Sequence, residues 1–385
     1  MGYNIEDRNY TIFSSNEKRT KFLATLFDFR NNIANSEELT LELEDEIFLQ
    51  SVSYRNTFVL LSIKKKSSEL CIYQFKNGQN YDKIKIDLSD QKFINNLGME
   101  ESLYQFLVDK SSSPFRSSNF KDLAFKKIDK TIPNPISITT HKNKLYVEDE
   151  KLIFSIDENE DITQILSLNL DDYTWSFESF EKPMIKFPAE QKKTNSFIFE
   201  DQLFTIASID YGVIYTVRNL ESKELIKEYR IVKDQEIPFR NTVMNQTTTF
   251  NRGFDDTNKF LKKINRYGVG TSVYTIGDKY EITFGGYRKP SSTPFVITSG
   301  VLFGALGAFI FYSNPNSLQF KGLFDKEFNH VKGELPQNVY DLVINFKENQ
   351  EYDLLTEVIF KYSGDLIWGG YERKTRSYVL RRFSD

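Results

Sequence analysis

The chain has 385 residues, 39% of them apolar and 15% aromatic, with 34 Phe, 21 Tyr, one Cys and a formal net charge of −4. That much buriable surface excludes intrinsic disorder, and an excess of acid over base with no strongly basic run excludes a nucleic-acid binder. A single cysteine excludes a disulfide scaffold, and two histidines far apart, His141 and His330, leave little for zinc or for His-based acid–base chemistry.

The N-terminal run Met1-Gly2-Tyr3-Asn4-Ile5-Glu6-Asp7 lacks the charged start and apolar core of a signal peptide, and Glu6 breaks the myristoylation pattern. The chain as given therefore reads as cytoplasmic, or as exported or periplasmic if a leader has been removed. In Leu41 to Glu46, Glu42 and Glu44 alternate with Leu41 and Leu43, which is the wet face of a strand. Paired carboxylates for glycoside hydrolysis are the competing use of that cluster.

Short β-branched and aromatic runs then recur between turn clusters. The first set is 47–49, 57–63, 70–75 and 83–88, and it contains Cys71 in the alternating run Leu70-Cys71-Ile72-Tyr73, where a thiol is expected to be a buried hydrophobe. A helix is expected over Glu100 to Asp109, followed by a solvent loop from Lys110 to Phe120. The clearest strand set runs 144–147, 151–156, 164–170 and 174–180, and another follows at 196–199, 202–206, 213–217 and 225–231. Four strands in about 40 residues form an antiparallel meander, and repetition at that period is the spacing of propeller blades. Asp157-Glu158-Asn159-Glu160-Asp161 opens like a calcium loop, but Ile162 stands where the sharp turn needs Gly and Leu168 where a bidentate Glu belongs, so it reads as a polar hairpin.

Further helices are expected over Asp256 to Arg266, capped by Asp255 or Asp256, and over Asn338 to Lys347, with Val339, Leu342, Val343 and Phe346 on one face. The sharpest internal echo pairs 277–289 with 364–374. In each, a Gly-Asp turn feeds an apolar strand that ends in an aromatic-Gly-Gly-Tyr step, at Phe284 to Tyr287 and at Trp368 to Tyr371. A glycine pair there lets a neighbouring backbone or ring approach closely. These steps, with Asn169-Leu170-Asp171-Asp172-Tyr173-Thr174-Trp175, resemble degenerate kelch-type blade signatures over about half of the chain. The layout is also similar to a group of uncharacterised, usually exported flavobacterial proteins, through Ser272 to Gly277 and Phe324 to Gly333. That group implies a fold and carries no known activity.

The most unusual stretch is uncharged from Ser291 to Phe320, with its apolar heart at Phe295 to Tyr312. Its length is at the lower limit for a membrane span, and Gly300-x-x-x-Gly304 has a helix-contact spacing. Its β-branched and aromatic content favours a buried hairpin turning near Gly304 to Gly307, and an apolar loop that meets a protein partner or a membrane surface is the third reading. No phosphate loop, nucleophile elbow, metalloprotease helix or dinucleotide fingerprint occurs.

The sequence thus predicts an all-β chain with minor helical insertions: one β-propeller over 1–385, of about six blades and within five to seven, with residues 291–320 as an apolar insertion or hairpin. N-terminal strand material is expected to complete the blade begun by Val358 to Phe383. A non-enzymatic binding or scaffold role is expected, through propeller-face loops and residues 295–312, with no catalytic set, cofactor, metal or nucleic acid, and with any small-molecule ligand undefined. Candidate contact residues are Phe303, Leu306, Phe309, Phe311, Trp175, Trp368 and Tyr371. The competing reading is a polysaccharide hydrolase or lyase using channel carboxylates and Tyr.

Overall fold

The structure is a computed structural model that describes residues 2–4, 9–16, 19–28, 30–31, 33–43, 45–54, 57–75, 80–108, 125–183, 192–247, 251–288, 316–362 and 365–384. The chain is built as a β-propeller of six successive sheets, antiparallel except for the short parallel pairing of 126–127 with 144–145, with short helices between them.

The first sheet contains β1 (Gly2–Asn4), β2 (Asn9–Ser15), β3 (Lys21–Asp28) and β4 (Ile33–Glu42), and the second β5 (Glu46–Tyr54), β6 (Thr57–Lys64), β7 (Glu69–Phe75) and β8 (Tyr81–Asp87). A two-stranded ribbon, β9 (Phe93–Ile94) with β10 (Glu100–Glu101), leads into helix α1 (Leu103–Val108). The third sheet begins with β11 (Lys126–Lys127), is interrupted by the single-turn helix α2 (Ile136–Thr139), and continues through β12 (Asn143–Glu148), β13 (Lys151–Ile156), β14 (Ile162–Asn169) and β15 (Trp175–Glu181). The fourth is β16 (Lys193–Phe199), β17 (Gln202–Ile209), β18 (Gly212–Asn219) and β19 (Leu225–Val232). The fifth contains β20 (Met244–Thr247), β21 (Asn251–Phe254), β22 (Gly268–Ile276), β23 (Lys279–Tyr287) and β24 (Ser317–Phe324), with α3 (Thr257–Ile264) between β21 and β22. Helix α4 (Val339–Asn349) precedes the last sheet, β25 (Leu354–Tyr362), β26 (Asp365–Glu372) and β27 (Ser377–Phe383).

Local chemistry accounts for these elements. Ile276 pairs with Lys279 across the two-residue Gly277-Asp278 loop, and Gly277 takes φ +59°, the left-handed conformation that tight hairpins require. Inner strands such as β6 and β17 are buried on both faces and read as near-continuous apolar runs, whereas the outer strands β8, β15 and β19 are largely exposed. Asp256 caps α3 by accepting from the Lys259 amide at 2.9 Å. Asn338 and Asp341 form a reciprocal capping box at the start of α4.

Two expectations change in detail. The N-terminal strands form a four-stranded sheet of their own, and the last sheet has three strands among the described residues. Register explains the first: β2 and β3 are each paired along nearly their whole length within the first sheet. On α4, Val339 and Val343 are buried as expected, but Leu342 is 38% exposed and Tyr340 takes the inward position. No helix of the described residues is long and apolar enough to cross a membrane, and Lys110 to Phe120 and Phe295 to Tyr312 lie outside the described residues.

The chain separates into two compact units. The first contains Met1–Lys127, Asn143–Asn159 and Gln164–Ser179, and the second Ile128–Lys142, Glu160–Thr163 and Phe180–Asp385. The first unit has two apolar cores, one around Leu61, Ile72, Phe93 and Phe154 and one around Phe22, Phe58, Tyr73 and Phe75. In the second, Trp368, Val343, Tyr340 and Ile359 form one core, and Phe239, Phe284, Phe320 and Phe324 form an aromatic cluster.

Candidate functional site

In the first unit, alternation along β7 places Cys71, Tyr73 and Phe75 on one face, opposite Ser62, Leu60 and Phe58 of β6 and Lys85, Lys83 and Tyr81 of β8. Glu46, the first residue of β5, puts its carboxylate into this face with a side chain only 10% exposed. It accepts from the Tyr73 hydroxyl at 2.8 and 2.9 Å, from Lys83 Nζ at 2.5 Å and from the Ser62 hydroxyl. Burial raises the Glu46 pKa, but the bonds from Lys83, Ser62 and Tyr73 outweigh it and hold the carboxyl below its ordinary value. Burial, together with the Glu46 charge, pushes the Tyr73 phenol upward. Burial likewise pushes the Cys71 thiol up to about 11. A carboxylate stabilised in its charged form by three donors is a weak base, and a thiol raised this far is a poor nucleophile at neutral pH. The arrangement is a satisfied polar plug between strands.

Elsewhere in this unit Lys144 Nζ and Asp157 Oδ2 pair at 3.2 Å with both side chains fully buried, so Asp157 is held by a lysine in the middle of a sheet. Asn159 donates to the Asn95 carbonyl at 2.9 Å. These partners explain the failed calcium pattern as hairpin chemistry. Among the described residues no group of three or more His, Cys, Asp or Glu could hold a metal ion.

In the second unit, β23 carries two carboxyl contacts on opposite faces. Glu281 is 1% exposed, and its Oε1 meets Lys321 Nζ at 2.8 Å while Oε2 makes no hydrogen bond. Burial raises its pKa, with Asp341 adding to the rise and Lys321 and Asn338 opposing it. On the other face the Tyr280 hydroxyl donates to Glu200 at 2.6 Å, its ring stacks on Phe328 at 5.3 Å, and Lys326 Nζ lies 3.9 Å from the ring centroid. A carboxyl whose pKa is raised is the kind of group that acid catalysis uses, but this one is sealed from solvent. A cleft of about 450 Å³ is lined by Ser14, Ser15, Asn16, Lys21, Phe22 and Leu23, with no acid, His or Cys among them.

Three of the candidate contact residues, Trp175, Trp368 and Tyr371, are among the described residues. Trp175 opens β15 and is 39% exposed. Trp368 is fully buried: its Nε1 donates to Glu357 at 2.5 Å, Glu357 also pairs with Lys347 at 2.9 Å, and the indole meets Phe346 edge-on at 5.0 Å. Tyr371 lies on the other face of β26, half-buried against Tyr378 at 5.1 Å. Phe303, Leu306, Phe309 and Phe311 lie outside the described residues. Sequence reasoning named the acidic run ending at Glu46 but not its partners Tyr73 and Lys83, and it missed Glu281. The signal for Glu281 is a carboxylate inside the apolar run Tyr280-Glu281-Ile282-Thr283-Phe284.

No protein-family model and no curated protein matches the chain. Solved structures with some similarity include the WD40 domain of SCAP from fission yeast, 10% identical over 98% of this chain and 74% of that one, with a TM-score of 0.29. The β-propeller domain of the Trilobed protease from Pyrococcus furiosus is 9% identical over 97% and 89%, with a TM-score of 0.24. An α-L-arabinofuranosidase from Clostridium thermocellum is 7% identical over 86% and 87%, with a TM-score of 0.27. At these values no functional residue is carried over to this chain.

Proposed function

We propose that the chain is a non-enzymatic binding or scaffold protein that contacts a protein partner or a membrane surface through blade-end loops and the apolar stretch 295–312, with Phe303, Leu306, Phe309 and Phe311 as its contact residues. The observation that carries this reading is the commitment of the clustered ionisable groups to one another. Glu46 is saturated by Ser62, Tyr73 and Lys83, Asp157 is buried against Lys144, and Glu281 is sealed beside Lys321. The uncharged, apolar composition of 295–312 supports a contact role, since a contiguous apolar patch marks an interaction site wherever it meets solvent.

The second reading is a polysaccharide hydrolase or lyase that uses channel carboxylates and Tyr. Incubating the full chain with a panel of glycans separates the two. No turnover is expected, and turnover abolished by substitution of a single carboxylate would establish the enzymatic reading instead. For the binding reading, deletion of residues 294–314 is expected to leave the melting transition in place and to remove the contact.

A further inference from the structure

The last sheet is two-faced. Leu366, Trp368 and Phe383 turn one face towards α4, where Arg381 lies over the Phe346 ring at 4.5 Å. On the opposite face, strand alternation and register line up Tyr371 with Tyr378, and Gly369 with both Val358 and Leu380. Leu380 and Val358 close over Gly369, where an added Cβ would meet them at 2.9 and 3.3 Å. This second face is uncovered: Tyr378 is 75% exposed, Leu380 65% and Val358 36%.

Charge surrounds that apolar strip. Apart from Arg381, which belongs to the α4 side, the stretch from Glu372 to Arg382 has four basic residues, Arg373, Lys374, Arg376 and Arg382, against one acid, Glu372, in a protein whose net charge is −4. Arg373, Lys374 and Arg376 are exposed in the β26–β27 turn, and Glu372 is occupied as an acceptor for Thr375 at 2.6 Å. Arg382 sits in the same alternation as Tyr378 and Leu380, so this face of β27 reads aromatic, aliphatic, basic, with the basic turn at its Tyr378 end. Arg382 is 71% exposed even while paired with Asp365 at 2.6 Å.

We propose that this face docks on an anionic phospholipid surface, with Leu380 and Val358 entering the acyl boundary, Tyr378 at headgroup level and Arg373, Lys374 and Arg376 on the phosphates. Charge complementarity selects this occupant. A second copy would bring the same basic turn against itself, and the exposed aliphatic Leu380 and Val358 suit an acyl boundary rather than a nucleic acid. Each basic side chain near an anionic surface strengthens binding by about fivefold, and an amphipathic Tyr suits the interface. The inference rests on the binding reading above but uses different residues from 295–312.

Cosedimentation of the full chain with phosphatidylcholine vesicles, with and without phosphatidylserine, tests it. Binding is expected only with phosphatidylserine and is expected to weaken as salt rises. The double variant Lys374→Glu/Arg376→Glu, and separately Tyr378→Ser/Leu380→Ser, should each bind about tenfold or more weakly while keeping the parent melting transition. No sedimentation with either vesicle, equal binding to both, or parent-like binding by both variants overturns the proposal. So does a concentration-dependent dimer, or tighter binding of a labelled oligonucleotide, that Tyr378→Ser/Leu380→Ser abolishes. Vesicle binding lost only on deleting residues 294–314 overturns it while sparing the broader binding reading, and glycan turnover would sink that reading without touching the vesicle result.

Discussion

Gly370 lies against the Trp368 ring: a Cβ built at residue 370 would come within 3.1 and 3.2 Å of the indole carbons and 2.7 Å of Leu354 Cδ2. The second glycine of this Gly-Gly-Tyr step therefore makes room for the largest fully buried side chain of the molecule. Overpacking a closed site costs about 1–3 kcal/mol, so Gly370→Ala is expected to lower the unfolding free energy by that amount, read as a lower denaturant midpoint at unchanged slope. Gly253→Ala is the control, because its nearest neighbour, Val243 Cγ2, stands at an ordinary 3.5 Å. It should shift stability by no more than about 0.5 kcal/mol.

Glu281 gives a pH signature. Its pKa in the folded state lies above the 4.5 of an unperturbed glutamate, chiefly because burial penalises the charge. The folded chain therefore holds a proton that the unfolded chain has released, and stability falls as pH rises from 4.5 through the folded value. Glu281→Gln removes the ionisation and keeps an oxygen that accepts from Lys321. Urea unfolding of this variant at a series of pH values should show a flatter profile than the parent in that window, with the larger stability difference at its upper end. A parallel profile would refute the assignment.

The two glutamates also show how much of the molecule was legible in sequence. Strand positions follow from alternation and turn chemistry, so three meanders and the three longer helices could be read directly, and the two Gly-Gly-Tyr steps pointed to close approach before any contact was known, whereas the separate N-terminal sheet was not foreseen. The partners of Glu46 could not be read. Tyr73 and Lys83 meet it through β7–β8 register and across the width of a sheet, and such long-range pairing leaves no local pattern. Leu342 was misplaced on α4 because its spacing fits the apolar stripe equally well, and only packing reveals that Tyr340 faces inward. Exposure of Tyr378 and Leu380 was hidden for the same reason: alternation separates the two faces of a strand without saying which one is covered.

Glu46 has the opposite pH sign to Glu281. Its folded pKa is depressed, so the stability it contributes is present above the ordinary value of 4.5 and is lost as pH falls through the folded value. Glu46→Ala would leave the buried Tyr73 hydroxyl without its acceptor and is expected to cost about 1–3 kcal/mol, whereas Tyr73→Phe removes donor and need together and should cost about 0.5–1.5 kcal/mol. Equilibrium unfolding at neutral pH orders the two variants. A Tyr73→Phe cost equal to that of Glu46→Ala would mean that the hydroxyl contributes more than one hydrogen bond.

Cys71 supplies a probe of opening in the first unit. The thiol is fully buried in the second sheet, with Ser62 opposite it, and burial lifts its pKa to about 11. At pH 8 a thiol with that pKa is about one-thousandth thiolate, and the thiolate is the reactive species. Iodoacetamide should therefore leave the native chain almost unlabelled over the time in which it fully alkylates the chain in denaturant. The native rate should follow the opening of the β6–β7 pair, so Glu46→Ala, which loosens the polar plug beside it, is expected to accelerate labelling severalfold. Fast alkylation of the native parent chain would show instead that the thiol reaches solvent and that this face of β7 is not a closed core.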